Sequence, residues 1–140
     1  MKQIPVIFWT GTGNTQMMAD VIAAAINAAG AEAVVKNVSE ITADEAAGYA
    51  ALALGCPAMG AEVLEECEFE PFFTELEGKL AGKKVALFGS YGWGGSYMQD
   101  WEARVKDAGA TLVADGVLAL GAPDDEAMAK LAEAGKLLAE

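Results

Sequence analysis

Six consecutive residues near the start of the chain, Thr10-Gly11-Thr12-Gly13-Asn14-Thr15, have the composition of a phosphate cradle. Thr10, Thr12 and Thr15 offer hydroxyls, and Asn14 offers an amide. Gly11 and Gly13 let the backbone turn tightly with its N–H groups inward. A helix that follows adds the positive end of its dipole. The loop has no basic side chain, and Lys2 lies at the far end of the preceding strand, out of reach. No Gly-Lys-Ser/Thr follows, so this is not a triphosphate loop. Nor is it the dinucleotide fingerprint, which needs glycine near Met17. A capped glycine turn that binds nothing would not require so many hydroxyls.

Two further segments carry residues suited to a planar ligand. Ser90-Tyr91-Gly92-Trp93-Gly94-Gly95 places two aromatics among glycines. Exposed aromatics on such a loop suit stacking on a ring, although Trp93 alone would also pack on a neighbouring helix. Cys56-Pro57-Ala58-Met59-Gly60-Ala61-Glu62 offers a polarizable sulfur at Met59 for covering a ring. Gly60 can change backbone conformation cheaply. Glu62 can accept from a ring N–H, although without context it reads as a solvated acid. Trp9 either lines the site or packs under a loop. Tyr97 is helix surface or flanks the ligand, and Trp101 is core. Cys56 reads as a small packed residue and Cys67 as a loop thiol.

The elements that must position these loops alternate between strand and helix. Residues 3–9 form an apolar strand. Asn14 or Thr15 caps a helix running to Ala29, with Met18, Ile22, Ala25 and Ala29 on one face and Gly30 ending it. Residues 33–38 form a second strand, and a short helix follows Thr42. Residues 50–54 form a third strand, followed by a long loop over 56–70. Pro71 opens a helix to Lys79. Residues 85–88 form a fourth strand, residues 89–95 a glycine-rich loop, and residues 96–108 a helix. The last strand lies within 111–120, interrupted near Asp115-Gly116, and a helix spans 124–139. This order predicts an α/β fold: one domain over 1–140, with a doubly wound, five-stranded parallel sheet covered on both faces. Loops 10–15, 56–62 and 90–95 then emerge from one sheet edge, where such folds bind ligands.

Composition excludes several functions. The chain has 140 residues, the usual size of one domain. It has no histidine, and the spacing of its two cysteines matches no redox or zinc motif, so a histidine triad or zinc site is excluded. Nine basic against 21 acidic residues give a net charge of −12. Such a surface repels nucleic acid and anionic membranes and favours partners with basic docking faces. The bland alternative is that the acids only confer solubility. The absence of a long apolar run or a signal-like N-terminus predicts a cytoplasmic protein.

Taken together, these segments resemble the flavodoxins, specifically the short-chain type of anaerobic bacteria. The likeness is carried by residues 10–15, by Leu54-Gly55-Cys56-Pro57-Ala58-Met59-Gly60, by Glu68-Phe69-Glu70-Pro71-Phe72-Phe73, and by Phe88-Gly89-Ser90-Tyr91-Gly92-Trp93-Gly94. It implies strand order 2-1-3-4-5, non-covalently bound flavin mononucleotide (FMN), and single-electron transfer between neutral semiquinone and anionic hydroquinone, for which the net charge of −12 predicts a low potential. It also implies a monomer that serves oxidoreductases otherwise supplied by ferredoxin. The FMN-binding residues would be Thr10, Gly11, Thr12, Gly13, Asn14, Thr15, Cys56, Pro57, Ala58, Met59, Gly60, Glu62, Ser90, Tyr91, Gly92, Trp93 and Gly94. Met59 and Trp93 would take the inner and outer faces of the ring. Glu62 would accept from N3–H, and the Gly60 carbonyl would turn to accept from N5–H. Thr10 stands where serine is usual, and Ala61 where aspartate or serine is common. Tyr97 ends a stretch that is more polar and ends in tryptophan elsewhere, and Gly121-Ala122-Pro123 lacks an expected asparagine. The competing reading is a flavin-dependent quinone or NAD(P)H reductase on the same fold; short length and the absence of histidine oppose it. A phosphorylated signalling domain would need aspartates where Trp9-Thr10 and Gly55-Cys56 stand.

Overall fold

The structure, a computed structural model, describes residues 2–11, 13–58, 64–91 and 96–140. Apolar runs form the inner strands: β1 (Gln3–Phe8), β3 (Ala51–Gly55) and β4 (Lys84–Tyr91) are almost continuously buried. Burial on both faces is what parallel strands between helical layers require. With β2 (Glu32–Asn37), β5 (Thr111–Leu112) and β6 (Val117–Leu120) they make one parallel sheet. Its order is β2-β1-β3-β4-β5, with β6 also on β4, so the predicted order 2-1-3-4-5 holds.

The expected break in the last strand is real. Residues 113–116 stand opposite only two residues of β4, between the pairs Val85–Leu112 and Phe88–Val117. The Gly116 N–H leaves the ladder and donates to Glu102 Oε2 at 2.7 Å. Beyond this bulge β6 pairs with Gly89, Ser90 and Tyr91. These three residues are therefore strand, not the loop their glycine content suggests. Pairing with a distant segment has overridden local composition.

Helices α1 (Asn14–Ala28) and α5 (Asp125–Ala139) cover one face of the sheet. The buried stripe of α1 comprises Thr15, Met18, Ala19, Ile22, Ala23 and Ile26; Ala25 is half-buried and Ala29 exposed, which corrects part of the expected face. Gly135 lets α5 close on α1, since a Cβ there would lie 2.8 Å from the Ile22 carbonyl oxygen. Helices α2 (Ala43–Ala46), α3 (Phe69–Glu77) and α4 (Ser96–Asp107) cover the other face. There Trp101 is core, as expected, packed edge-on against Phe69 and Phe73. Arg104 ties α4 to α3 through Glu70 and Glu77. No helix among the described residues is long and apolar enough to cross a membrane.

Candidate functional site

β1, β3 and β4 are parallel neighbours, so the segments that follow them leave from one edge of the sheet. Two contacts join them there. Thr15 Oγ1, in the first turn of α1, lies 3.2 Å from Ser90 Oγ on β4, and both residues are buried. The Ala58 N–H donates to the Ser90 carbonyl at 3.0 Å. All three predicted segments thus meet at Ser90, through their described residues.

The first segment presents the donors that an anion would need. Gly13 is the helix cap, in the left-handed region at φ 93°, and no side chain caps the helix. This corrects the expectation that Asn14 or Thr15 caps it. A side-chain oxygen in the capping position would satisfy N–H groups that no described side chain caps here. The first intrahelical bond runs from the Met17 N–H to the Gly13 carbonyl. The N–H groups of Asn14, Thr15 and Gln16 therefore point out of the helix end. Thr10 Oγ1 accepts from the Gly13 N–H at 2.9 Å, which closes the turn and leaves the Thr10 proton to donate elsewhere. The first turn of α1 carries no acid to repel an anion. Gly11 leaves room for Trp9, since a Cβ there would lie 3.2 Å from the indole. Trp9 packs towards the α2–α3 layer and donates from Nε1 to Glu68 at 3.2 Å.

Cys56 is held from four directions. Its N–H donates to the Phe88 carbonyl at 3.1 Å, and its carbonyl accepts from the Tyr97 hydroxyl at 2.8 Å. Its thiol donates to the Pro57 carbonyl and accepts from the Glu65 N–H. Burial pushes this thiol up to about 12, so it stays protonated and serves as a structural donor. Tyr97 is neither helix surface nor free to flank a ligand, because it is buried and committed to Cys56. Cys67 is exposed, as a loop thiol should be.

Sequence reasoning missed Glu65. Its carboxylate accepts from the N–H groups of Cys67 (2.8 Å), Glu68 (2.6 Å) and Phe69 (3.0 Å). It thereby starts α3 two residues before the expected Pro71. Burial opposes its ionisation, and the three N–H groups outweigh that, so the carboxyl titrates below its ordinary range. Nothing in a run of surface acids marks one of them as a cap; only the downstream N–H groups do. Tyr91, on β4, is half-buried and lines a cavity with Leu118, Leu120 and Ala127. The proposed roles of Thr12, Met59, Gly60, Glu62, Gly92, Trp93 and Gly94 fall outside the described residues.

A donor set of backbone N–H groups and hydroxyls, at a helix end free of acids, fits the phosphate monoester of FMN. Comparison with known proteins agrees. The sequence model of the flavodoxin family matches residues 6–135. A flavodoxin from Clostridium beijerinckii is 47% identical over 135 residues, covering 96% of this chain and 97% of that one. A flavodoxin from Megasphaera elsdenii is 47% identical over 116 residues, covering 82% and 85%. The solution structure of the two-electron reduced Megasphaera elsdenii protein superposes with a TM-score of 0.90 at 44% identity, over 97% of this chain and 98% of that one. With its sheet order, its three converging strand ends and its relatives in agreement, the chain belongs to the flavodoxin family of FMN-binding electron carriers, proteins that transfer electrons rather than turn over a substrate.

Proposed function

We propose that the protein carries single electrons at low potential, between the one-electron-reduced and the fully reduced, anionic forms of its FMN. Its partners would be redox proteins with basic docking faces, including oxidoreductases otherwise served by ferredoxin. The distribution of charge carries this reading. Seven of the nine basic residues, Lys2, Lys79, Lys83, Lys84, Arg104, Lys106 and Lys136, stand at strand starts or helix ends, away from the phosphate-binding edge. Lys2 donates to the Leu138 carbonyl at the end of α5. Glu65, Glu66 and Glu68 before α3, and Asp124, Asp125 and Glu126 at the start of α5, stand on the phosphate-binding side.

FMN accepts and releases electrons singly, and the fully reduced ring gains a negative charge. One protein carboxylate ~12 Å away, at an effective dielectric of ~40, disfavours that charge by about 0.7 kcal/mol. That corresponds to roughly 30 mV per carboxylate. Several such groups make a large negative shift, reduced by salt. A dye-equilibrated reductive titration tests this. The second one-electron potential should lie below that of free FMN and rise as salt is added; a value no lower than free FMN would end the reading.

The phosphate assignment has its own test. Thr15→Val leaves the buried Ser90 hydroxyl without its partner and removes a hydroxyl from the cradle. The apoprotein should lose about 1–2 kcal/mol in urea unfolding. Affinity for FMN should fall while affinity for riboflavin, which lacks the phosphate, stays near wild type. Equal losses for both ligands would place the phosphate elsewhere.

A further inference from the structure

The geometry points to Tyr97 as a positioning residue that fixes the flavin-bearing segment Pro57-Ala58, at the end of β3, through the Cys56 carbonyl. The inference rests on the reading that this segment contacts FMN. The Tyr97 hydroxyl is buried, and it is the donor to the Cys56 carbonyl among the described residues. Cys56 is the last residue before that segment, and every polar group it has is engaged. The Glu65 N–H reaches back to the Cys56 thiol, so Cys56 is held from the α3 side as well. The seat is specific to the Tyr97 hydroxyl. A Cβ on Gly89 would collide with both that hydroxyl and the Cys56 carbonyl, so the strand opens a gap where the two meet. The ring itself stacks on Trp101 in the core, which fixes its direction.

Tyr97→Phe keeps the ring and its packing and removes one donor. The Cys56 carbonyl then lies buried without a partner, and the stem of the segment loosens. A hydrogen bond of this kind corresponds to about a threefold to tenfold change in an equilibrium constant. FMN affinity, followed by quenching of flavin fluorescence, should fall by that factor. At saturating FMN the visible circular dichroism of the bound flavin should also depart from wild type, because the ring sits in an altered segment. Val105→Ala serves as the control: it removes buried volume from the same helix without touching Cys56, and it should lower stability while leaving affinity and dichroism unchanged.

Amide exchange of the apoprotein reads the clamp without flavin. In the wild type the Ala58 and Glu65 amides should be protected although they flank a loop. In Tyr97→Phe they should exchange faster, while α5 amides do not. Free exchange of both in the wild type, or wild-type affinity and dichroism in Tyr97→Phe, would overturn the inference. A variant that merely matched Val105→Ala in affinity would do the same. Failure of wild type to take up FMN in the same titration would defeat the carrier reading instead, and amide exchange would still decide Tyr97.

Discussion

Gly89→Ala should destabilise the apoprotein by about 3 kcal/mol or more and reduce FMN affinity at least about tenfold. The position demands no unusual dihedral, so the effect comes from space alone. A Cβ there would collide with the Cys56 carbonyl oxygen and the Tyr97 hydroxyl, and would sit 3.0 Å from the Cys56 carbonyl carbon. Two of these three atoms are backbone. They are held by the Cys56 N–H bond to the Phe88 carbonyl, so they cannot swing aside as a side-chain tip can. Relief requires β3 to part from β4 and Tyr97 to shift in the core as well. Both movements displace the segments that meet at Ser90. Gly78→Ala supplies the comparison. Gly78 ends α3 with ordinary right-handed dihedrals, and a Cβ there meets nothing within 4 Å. Its stability should stay within about 0.5 kcal/mol of wild type. Urea unfolding of both apoproteins and fluorescence titration with FMN measure the pair. Similar behaviour of the two variants would mean that β4 yields at Gly89 and that the clash is absorbed without consequence.

Gly89 also shows where reading the sequence stops. The apolar runs of β1, β3 and β4 were legible because burial on both faces leaves no polar alternation to confuse them. The turn into α1 was legible because its signals are local: hydroxyls, glycines and a helix start lie within six residues. The extension of β4 through Tyr91 was not legible. Gly89 and Ser90 favour loops, and only pairing with Leu118 and Ala119, some thirty positions on, makes them strand. Tyr97 was ambiguous for the same reason. Its hydroxyl is answered by a main-chain carbonyl 41 residues away, and a carbonyl leaves no mark in a sequence. The cap of α1 was misjudged in an instructive way. Asn14 and Thr15 are good capping residues, yet left-handed Gly13 takes the position and no described side chain caps the helix. If this helix end holds the phosphate as proposed, its departure from the rule that a helix end should satisfy itself serves the ligand.

Glu65→Ala should cost the apoprotein about 2–4 kcal/mol at neutral pH, because three N–H groups lose one shared acceptor at the start of α3. The loss depends on pH, and its sign follows from the direction in which the carboxyl is displaced. Its folded pKa lies below the ordinary value of 4.5. The stability it confers is therefore complete above 4.5 and is lost as pH falls through the lower folded value. Glu70 is displaced the same way, chiefly by its hydrogen bond from Arg104, so acid unfolding of wild type alone mixes the two groups. The difference between wild type and Glu65→Gln isolates Glu65, since Glu70 and Arg104 are common to both. That difference should be constant above pH 4.5 and shrink below it; one that stays flat to lower pH would show that the Glu65 charge contributes nothing. The consequence reaches Cys56, next to the segment proposed to bear the flavin. The same residue whose carboxylate starts α3 donates its N–H to the Cys56 thiol, and the Tyr97 hydroxyl fixes the carbonyl of that cysteine. Protonating Glu65 should therefore release FMN at a higher pH than it unfolds the sheet, and a pH titration of flavin fluorescence beside far-ultraviolet circular dichroism would separate the two events.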